Sequence, residues 1–196
     1  MKNKRNEQLY QLAYQTKFVD PSTKLPPRDE RSLSALLCIY HQLGNIVWNE
    51  VELFDVDLLS CGDASCIFSG HGVICSEYPL FWSDPGTCSY FGDMRPDLIY
   101  FSDDGQSMAI IENKIGAGYT HSGDEFGGQL GRYILYLKHS VMCNKTMILL
   151  TSKNFVMNKS PWYINELGTA IKVQKSADVV TTRIMFWEDI LQAFVA

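Results

Sequence analysis

The chain has 196 residues, 46% of them apolar and 20% charged, with a net charge of −5. That supplies one sizeable core and excludes disordered, collagen-like and coiled-coil classes. No apolar run approaches the roughly 20 residues that span a bilayer. The basic start, Met1 to Glu7, leads into a polar stretch and not into the apolar core of a signal peptide. A cytoplasmic protein without membrane contact is expected. The charge is unevenly spread. Between Ser32 and Met94 there is no Lys or Arg, yet eight acids lie there: Glu50, Glu52, Asp55, Asp57, Asp63, Glu77, Asp84 and Asp93. The remainder of the chain is therefore +3, and the net charge argues against a protein that coats nucleic acid.

Residues 1–28 read as an extension, a helix over 4–16 followed by a proline-rich loop, and residues 29–196 as a single domain. Asp29-Glu30-Arg31-Ser32 precedes Leu33, Leu36, Leu37, Tyr40 and Leu43. This is an amphipathic helix with acids in its first turn and Gly44 at its end. Residues 46–60 suggest another helical segment, and Ala64 to Trp82 suggest strands. Cys61, Cys66, His71 and Cys75 superficially resemble a zinc knuckle. Their spacing departs from the two to four residues that usually open such sites, so zinc is not expected. The six cysteines read as reduced thiols.

Pro96 to Phe101 and Ser107 to Lys114 are strand-like runs joined around Asp104-Gly105, a strong signal for a type I′ hairpin turn. Such a turn pairs residues whose numbers sum to 209. Asp97 then lies opposite Glu112, with Cβ atoms roughly 4.5–5.5 Å apart. Lys114 shares the face of Glu112. Both strands are otherwise apolar on both faces and belong in the middle of a covered sheet. A glycine-rich loop, Gly116 to Gly128, leads into a helix with Leu130, Ile134, Leu137 and Val141 as its buried stripe. Gln129 and Tyr133 lie four apart on a neighbouring line. Thr146 to Thr151 reads as a buried strand, Ser152 to Pro161 as a loop and Trp162 to Gly168 as a short helical piece. Arg183 to Trp187 is a last strand, and Glu188 to Val195 a closing helix.

Two carboxylates about 5 Å apart at the end of a buried sheet repel by a few kcal/mol at an effective dielectric near 20. A cation between them relieves this. Oxygen ligands without His or Cys favour Mg²⁺, with Mn²⁺ able to substitute. A lysine two residues from one ligand can orient a water or neutralise charge developing on a phosphate, which is what phosphodiester hydrolysis requires. The competing reading is structural: Asp97 caps a strand, and Glu112 with Lys114 forms an ordinary ion pair.

Arg95-Pro96-Asp97, fourteen residues, then Glu112-Asn113-Lys114 resembles the signature of the PD-(D/E)XK nuclease superfamily. Gln129-Leu-Gly-Arg-Tyr133 is similar to the Q-x-x-x-Y element of its RecB-type members. The resemblance covers roughly residues 29–195 and includes a late strand leading into a Trp-Glu-Asp helix. It implies an α/β, restriction-endonuclease-like core, with a central mixed sheet of four to five strands flanked by helices. It implies that Asp97 and Glu112 bind the metal with the Asn113 carbonyl, that Lys114 is catalytic, and that Gln129 and Tyr133 line the site. Many relatives add an acid on the first core helix. Glu30 matches best; Glu50 and Glu52 follow Gly44, the expected helix end, and rank lower, and a helix-dipole role for Glu30 is the alternative.

Substrate contacts are expected from Arg95, Arg132 and the loop residue His121, although an ordinary exposed histidine is the simpler reading of the last. The activity implied is a Mg²⁺-dependent nuclease acting on DNA ahead of RNA, by analogy an effector of prokaryotic or phage conflict systems. Double-strand cutting by so small a domain points to a homodimer. The alternative is a non-catalytic adaptor or inhibitor on the same fold. The acidic 32–94 region is expected to face away from substrate or towards a protein partner.

Overall fold

The computed structural model describes residues 30–70, 72–80, 94–114, 126–153, 156, 162–174 and 179–195, with the side chains of 30–32 and 162–163 outside that description. The expected helix over 4–16 and the proline-rich loop lie outside it. Helix α1 spans Glu30–Gln42. Its Leu33 and Leu37 are buried, whereas Leu43, the last residue of the expected stripe, is 65% exposed beyond the helix.

Seven strands form one mixed sheet: β1 (Glu52–Phe54), β2 (Ser60–Asp63), β3 (Val73–Ser76), β4 (Leu98–Phe101), β5 (Ser107–Lys114), β6 (Asn144–Thr151) and β7 (Thr181–Phe186), in the order β2-β1-β7-β6-β5-β4-β3. The chain is α/β as expected, but the sheet has seven strands where four to five were expected. The additions are short and lie towards the edges. In β2, Ser60-Cys61-Gly62-Asp63 carries no apolar alternation, since an edge strand open to water needs none. Residues 46–60 are accordingly not helical beyond a 3-10 turn at Trp48–Glu50, and Ala64–Cys66 is another 3-10 turn and not strand.

Strands β5, β6 and β7 are parallel, and the β3–β4, β4–β5, β1–β7 and β1–β2 pairs are antiparallel. The near-continuous apolar runs in β5 and β6 follow from this, because a central strand is covered on both faces. Helix α2 (Gly128–His139) joins β5 to β6, and helix α3 (Trp162–Gln174), longer than its expected seven residues, lies between β6 and β7. Helix α4 (Trp187–Ala193) follows β7 directly. Alternation along the strands separates two cores. Tyr100, Ala109, Ile111, Ile148 and Leu150 pack with α1 and α4. Ile99, Ile110, Met147 and Leu149 pack with α2 and α3. In α2, Leu130, Ile134 and Leu137 are buried as expected, but Val141 lies beyond the helix and is 94% exposed.

The β4–β5 register is Leu98↔Ile111, Ile99↔Ile110, Tyr100↔Ala109 and Phe101↔Met108, so paired numbers sum to 209 as expected. The turn itself differs. Ser102 N–H donates to Ser107 O, Gly105 N–H donates to Ser102 O, and the side chain of Asp104 accepts from Gln106 N–H. Only Gly105 has positive φ, at +67°. A four-residue loop centred on the same two positions replaces the type I′ turn, and the common centre preserves the register.

Candidate active site

The carboxyl ends of the parallel strands, the start of β4 and the first turn of α2 meet at one end of the sheet. This is where open α/β sheets bind ligands. Alternation puts Glu112 and Lys114 on the α2 side of β5, with Met108 and Ile110. Lys114 Nζ lies 2.6 Å from Glu112 Oε1. Burial leaves Glu112 only 1% exposed, so this is no surface pair of the kind that contributes little.

Asp97 immediately precedes β4, and its Oδ2 accepts the backbone N–H of Asn113 at 2.8 Å. The carboxylate thus reaches across to β5 between Glu112 and Lys114. A residue in a strand points its N–H and C=O to the same neighbour. The Asn113 carbonyl therefore faces the Asp97 side, where it was expected to serve as a ligand. The Asn113 side chain projects to the opposite face. Its Oδ1 accepts from the Trp187 indole at 2.8 Å, and its Nδ2 donates to Ser34 Oγ at 3.4 Å.

Gln129 and Tyr133 are brought together by the helical spacing: Gln129 Nε2 donates to Tyr133 Oη at 2.9 Å. Burial chiefly, and then the charge of Glu112, push the Tyr133 hydroxyl far above its ordinary range; Asp97 and Glu77 add to this, and the Gln129 bond opposes it. Tyr133 therefore stays protonated and faces the acidic groups as a hydroxyl. Asp97, Glu112, Lys114, Gln129 and Tyr133 belong to one neighbourhood.

The other expected residues are placed less centrally. Arg95 is exposed. The Arg132 guanidinium lies 5.8 Å from the centroid of the Phe126 ring, just before α2. His121 and the rest of its loop, 115–125, lie outside the described residues, as does the side chain of Glu30. Glu50 and Glu52 sit around β1, three strands from β5. Cys61, on edge strand β2, and Cys75, on β3 at the opposite edge, are far apart in the strand order. His71 is outside the described residues.

One acid at this end was not anticipated. Glu77 has a left-handed backbone, φ +52°, and its N–H donates to Asp97 O at 3.2 Å. The Ser76↔Leu98 pairing sets the residue that follows β3 against Asp97. That signal depends on knowing where β3 ends, which its short Val-Ile-Cys-Ser run does not mark.

Among the described residues, no three His, Cys, Asp or Glu side chains are grouped to hold a metal ion. Two carboxylates and a carbonyl form a partial set of hard oxygen donors. Such a set suits Mg²⁺, which keeps several waters and commonly uses one or two carboxylates with substrate phosphate. It does not suit a structural zinc site, which needs four ligands rich in sulfur or nitrogen. No family model, curated protein or solved structure matches the chain. Among the described residues, no helix is long and apolar enough to cross a membrane.

Proposed function

We propose that this chain is a Mg²⁺-dependent nuclease of the PD-(D/E)XK kind, with Mn²⁺ able to substitute and DNA as substrate ahead of RNA. The observation that carries the reading is the buried Glu112–Lys114 pair, flanked by the Asp97 carboxylate bonded to the peptide between them. In this reading Asp97 and Glu112 hold the cation with help from the Asn113 carbonyl. Bound metal supplies Lewis acidity towards a phosphate oxygen and lowers the pKa of a coordinated water.

Lys114 has a second task once its charge is no longer required by Glu112. Its ammonium can hold a water or neutralise charge developing on the phosphate. Tyr133, kept protonated by burial and by Glu112, offers a hydroxyl that Gln129 fixes in direction. Arg95 and Arg132 supply phosphate contacts, and a homodimer supplies the two sites that double-strand cutting needs.

Calorimetric titration with Mg²⁺ separates this reading from a non-catalytic adaptor on the same fold. The nuclease reading expects a binding heat that Asp97→Asn abolishes. An adaptor shows no response to metal that depends on Asp97.

A further inference from the structure

Asn113 is the middle residue of Glu112-Asn113-Lys114, and alternation turns its side chain away from theirs into the core beneath α1 and α4. Its neighbours on that face are apolar, among them Ile111 and Leu150. An isoleucine would fill the position without any polar group to satisfy, yet a carboxamide is buried there at 0% exposure. Burying it is tolerable only because both of its ends are bonded, to the Trp187 indole and to Ser34 Oγ.

The same residue donates its backbone N–H to Asp97. It therefore joins α1, α4 and the start of β4 to the end of β5. The first turn of α4 secures the neighbouring strand as well. Glu188 accepts from Ser152 Oγ at 2.7 Å and from Lys153 N–H at 3.0 Å. Just before them, Thr151 Oγ1 donates to Lys114 O at 2.7 Å. Trp187 is itself only 1% exposed, so the anchor cannot swing away.

We infer that Asn113 is a positioning residue: its side-chain bond to Trp187 fixes the backbone of residue 113 so that its N–H orients the Asp97 carboxylate. A change in the backbone angles at residue 113 would turn its N–H away from Asp97. The inference rests on the proposed reading for its consequence, metal affinity, but the orientation itself exists without metal.

The test compares Asn113→Leu, Trp187→Phe and the double variant with the parent, in the full chain. Three quantities are read: the thermal midpoint, Mn²⁺ affinity by electron paramagnetic resonance, and hydrogen exchange of the residue 113 amide in metal-free protein. Each single change strands a buried polar partner and lowers the midpoint. The double change removes the mismatch between these two positions and recovers part of the midpoint; the lost Ser34 bond and the smaller buried ring at 187 keep it below the parent. Under the inference, Mn²⁺ still binds about 10–100-fold more weakly in the double variant, and the amide exchanges at least roughly tenfold faster. Parental affinity and parental protection in the double variant would overturn it and leave Asn113 a stabilising residue only. If Asn113→Leu fails to fold, Trp187→Phe alone decides by the same two readouts. Asp97→Asn serves as a control, since its amide oxygen can still accept from Asn113. Parental Mn²⁺ affinity in that variant contradicts the metal reading, while amide protection still decides the positioning role.

Discussion

The ammonium of Lys114 lies 2.6 Å from Oε1 of Glu112, at a depth where the glutamate is 1% exposed. Removing one member of a buried ion pair commonly costs 3–5 kcal/mol, because the remaining charge loses its compensation. Lys114→Met should therefore lower the stability of metal-free protein by about 3 kcal/mol. In the proposed site the lysine also competes with metal for Glu112. Mg²⁺ should raise the thermal midpoint of the variant more than that of the parent, by mass action, while cleavage is lost. Equal midpoint shifts in the two proteins would show that Glu112 does not meet the metal.

Gly131 lies inside the Q-x-x-x-Y run, where a Cβ would stand 1.7 Å from the Phe126 carbonyl oxygen. That carbonyl also accepts from Gln174 Nε2 at 2.8 Å, which ties the entrance of α2 to α3. The obstacle is backbone and cannot rotate aside. Gly131→Ala should cost about 1–3 kcal/mol in urea unfolding; a neutral substitution would mean that the Phe126 turn is not held against the helix.

His41 predicts a pH dependence. Its Nδ1 accepts from the Trp48 indole at 3.1 Å, so Nε2 carries the proton and donates to Gly72 O at 2.8 Å. Burial lowers its pKa below the usual 6.5, against the opposing effect of the Gly72 bond. Between the lowered and the usual value, the unfolded chain binds a proton that the folded chain does not. Stability in that window thus rises with pH, and it is lost as pH falls below 6.5. Urea midpoints measured from about pH 7.5 to 5 should decline in the parent, with a flatter slope in His41→Gln. An unchanged slope would remove His41 as the cause.

The β4–β5 register was legible because turn residues and strand length act over a dozen neighbouring positions. A four-residue loop and a two-residue turn centred on Asp104-Gly105 produce the same pairing. The α2 stripe was legible through Leu137, where burial demands apolar side chains; beyond the helix, Val141 kept the spacing without the burial. Strands β1 and β2 were not legible, since β1 has only three residues and β2 is a four-residue edge strand without apolar alternation, too little for a periodic signal. Nor was the second role of Asn113. Nothing local joins residues 113 and 187; only the completed sheet and the helix following β7 bring them into contact.

Within the acidic 32–94 region, Asp55 and Asp57 lie between β1 and β2, beyond β7 and β6 from the proposed site. Exposed charges further apart than the Debye length, about 8 Å at physiological salt, are largely screened. Asp55→Lys with Asp57→Lys should leave DNA affinity within about twofold at that salt. A large gain would place phosphate near this edge. Glu77 belongs to the same stretch of sequence but lies beside Asp97, so charge reversal there is expected to behave differently.

The proposed activity is tested most directly by cleavage with Mg²⁺, comparing the parent with Asp97→Asn on duplex DNA, single-stranded DNA and RNA. The asparagine retains an acceptor for the Asn113 N–H and so preserves the local fold. The account predicts cleavage by the parent that stops on chelation and falls at least about a hundredfold in the variant, at an unchanged thermal midpoint. Cleavage equal in the two proteins, or none by the parent on any of these substrates with Mg²⁺ or Mn²⁺, would contradict it.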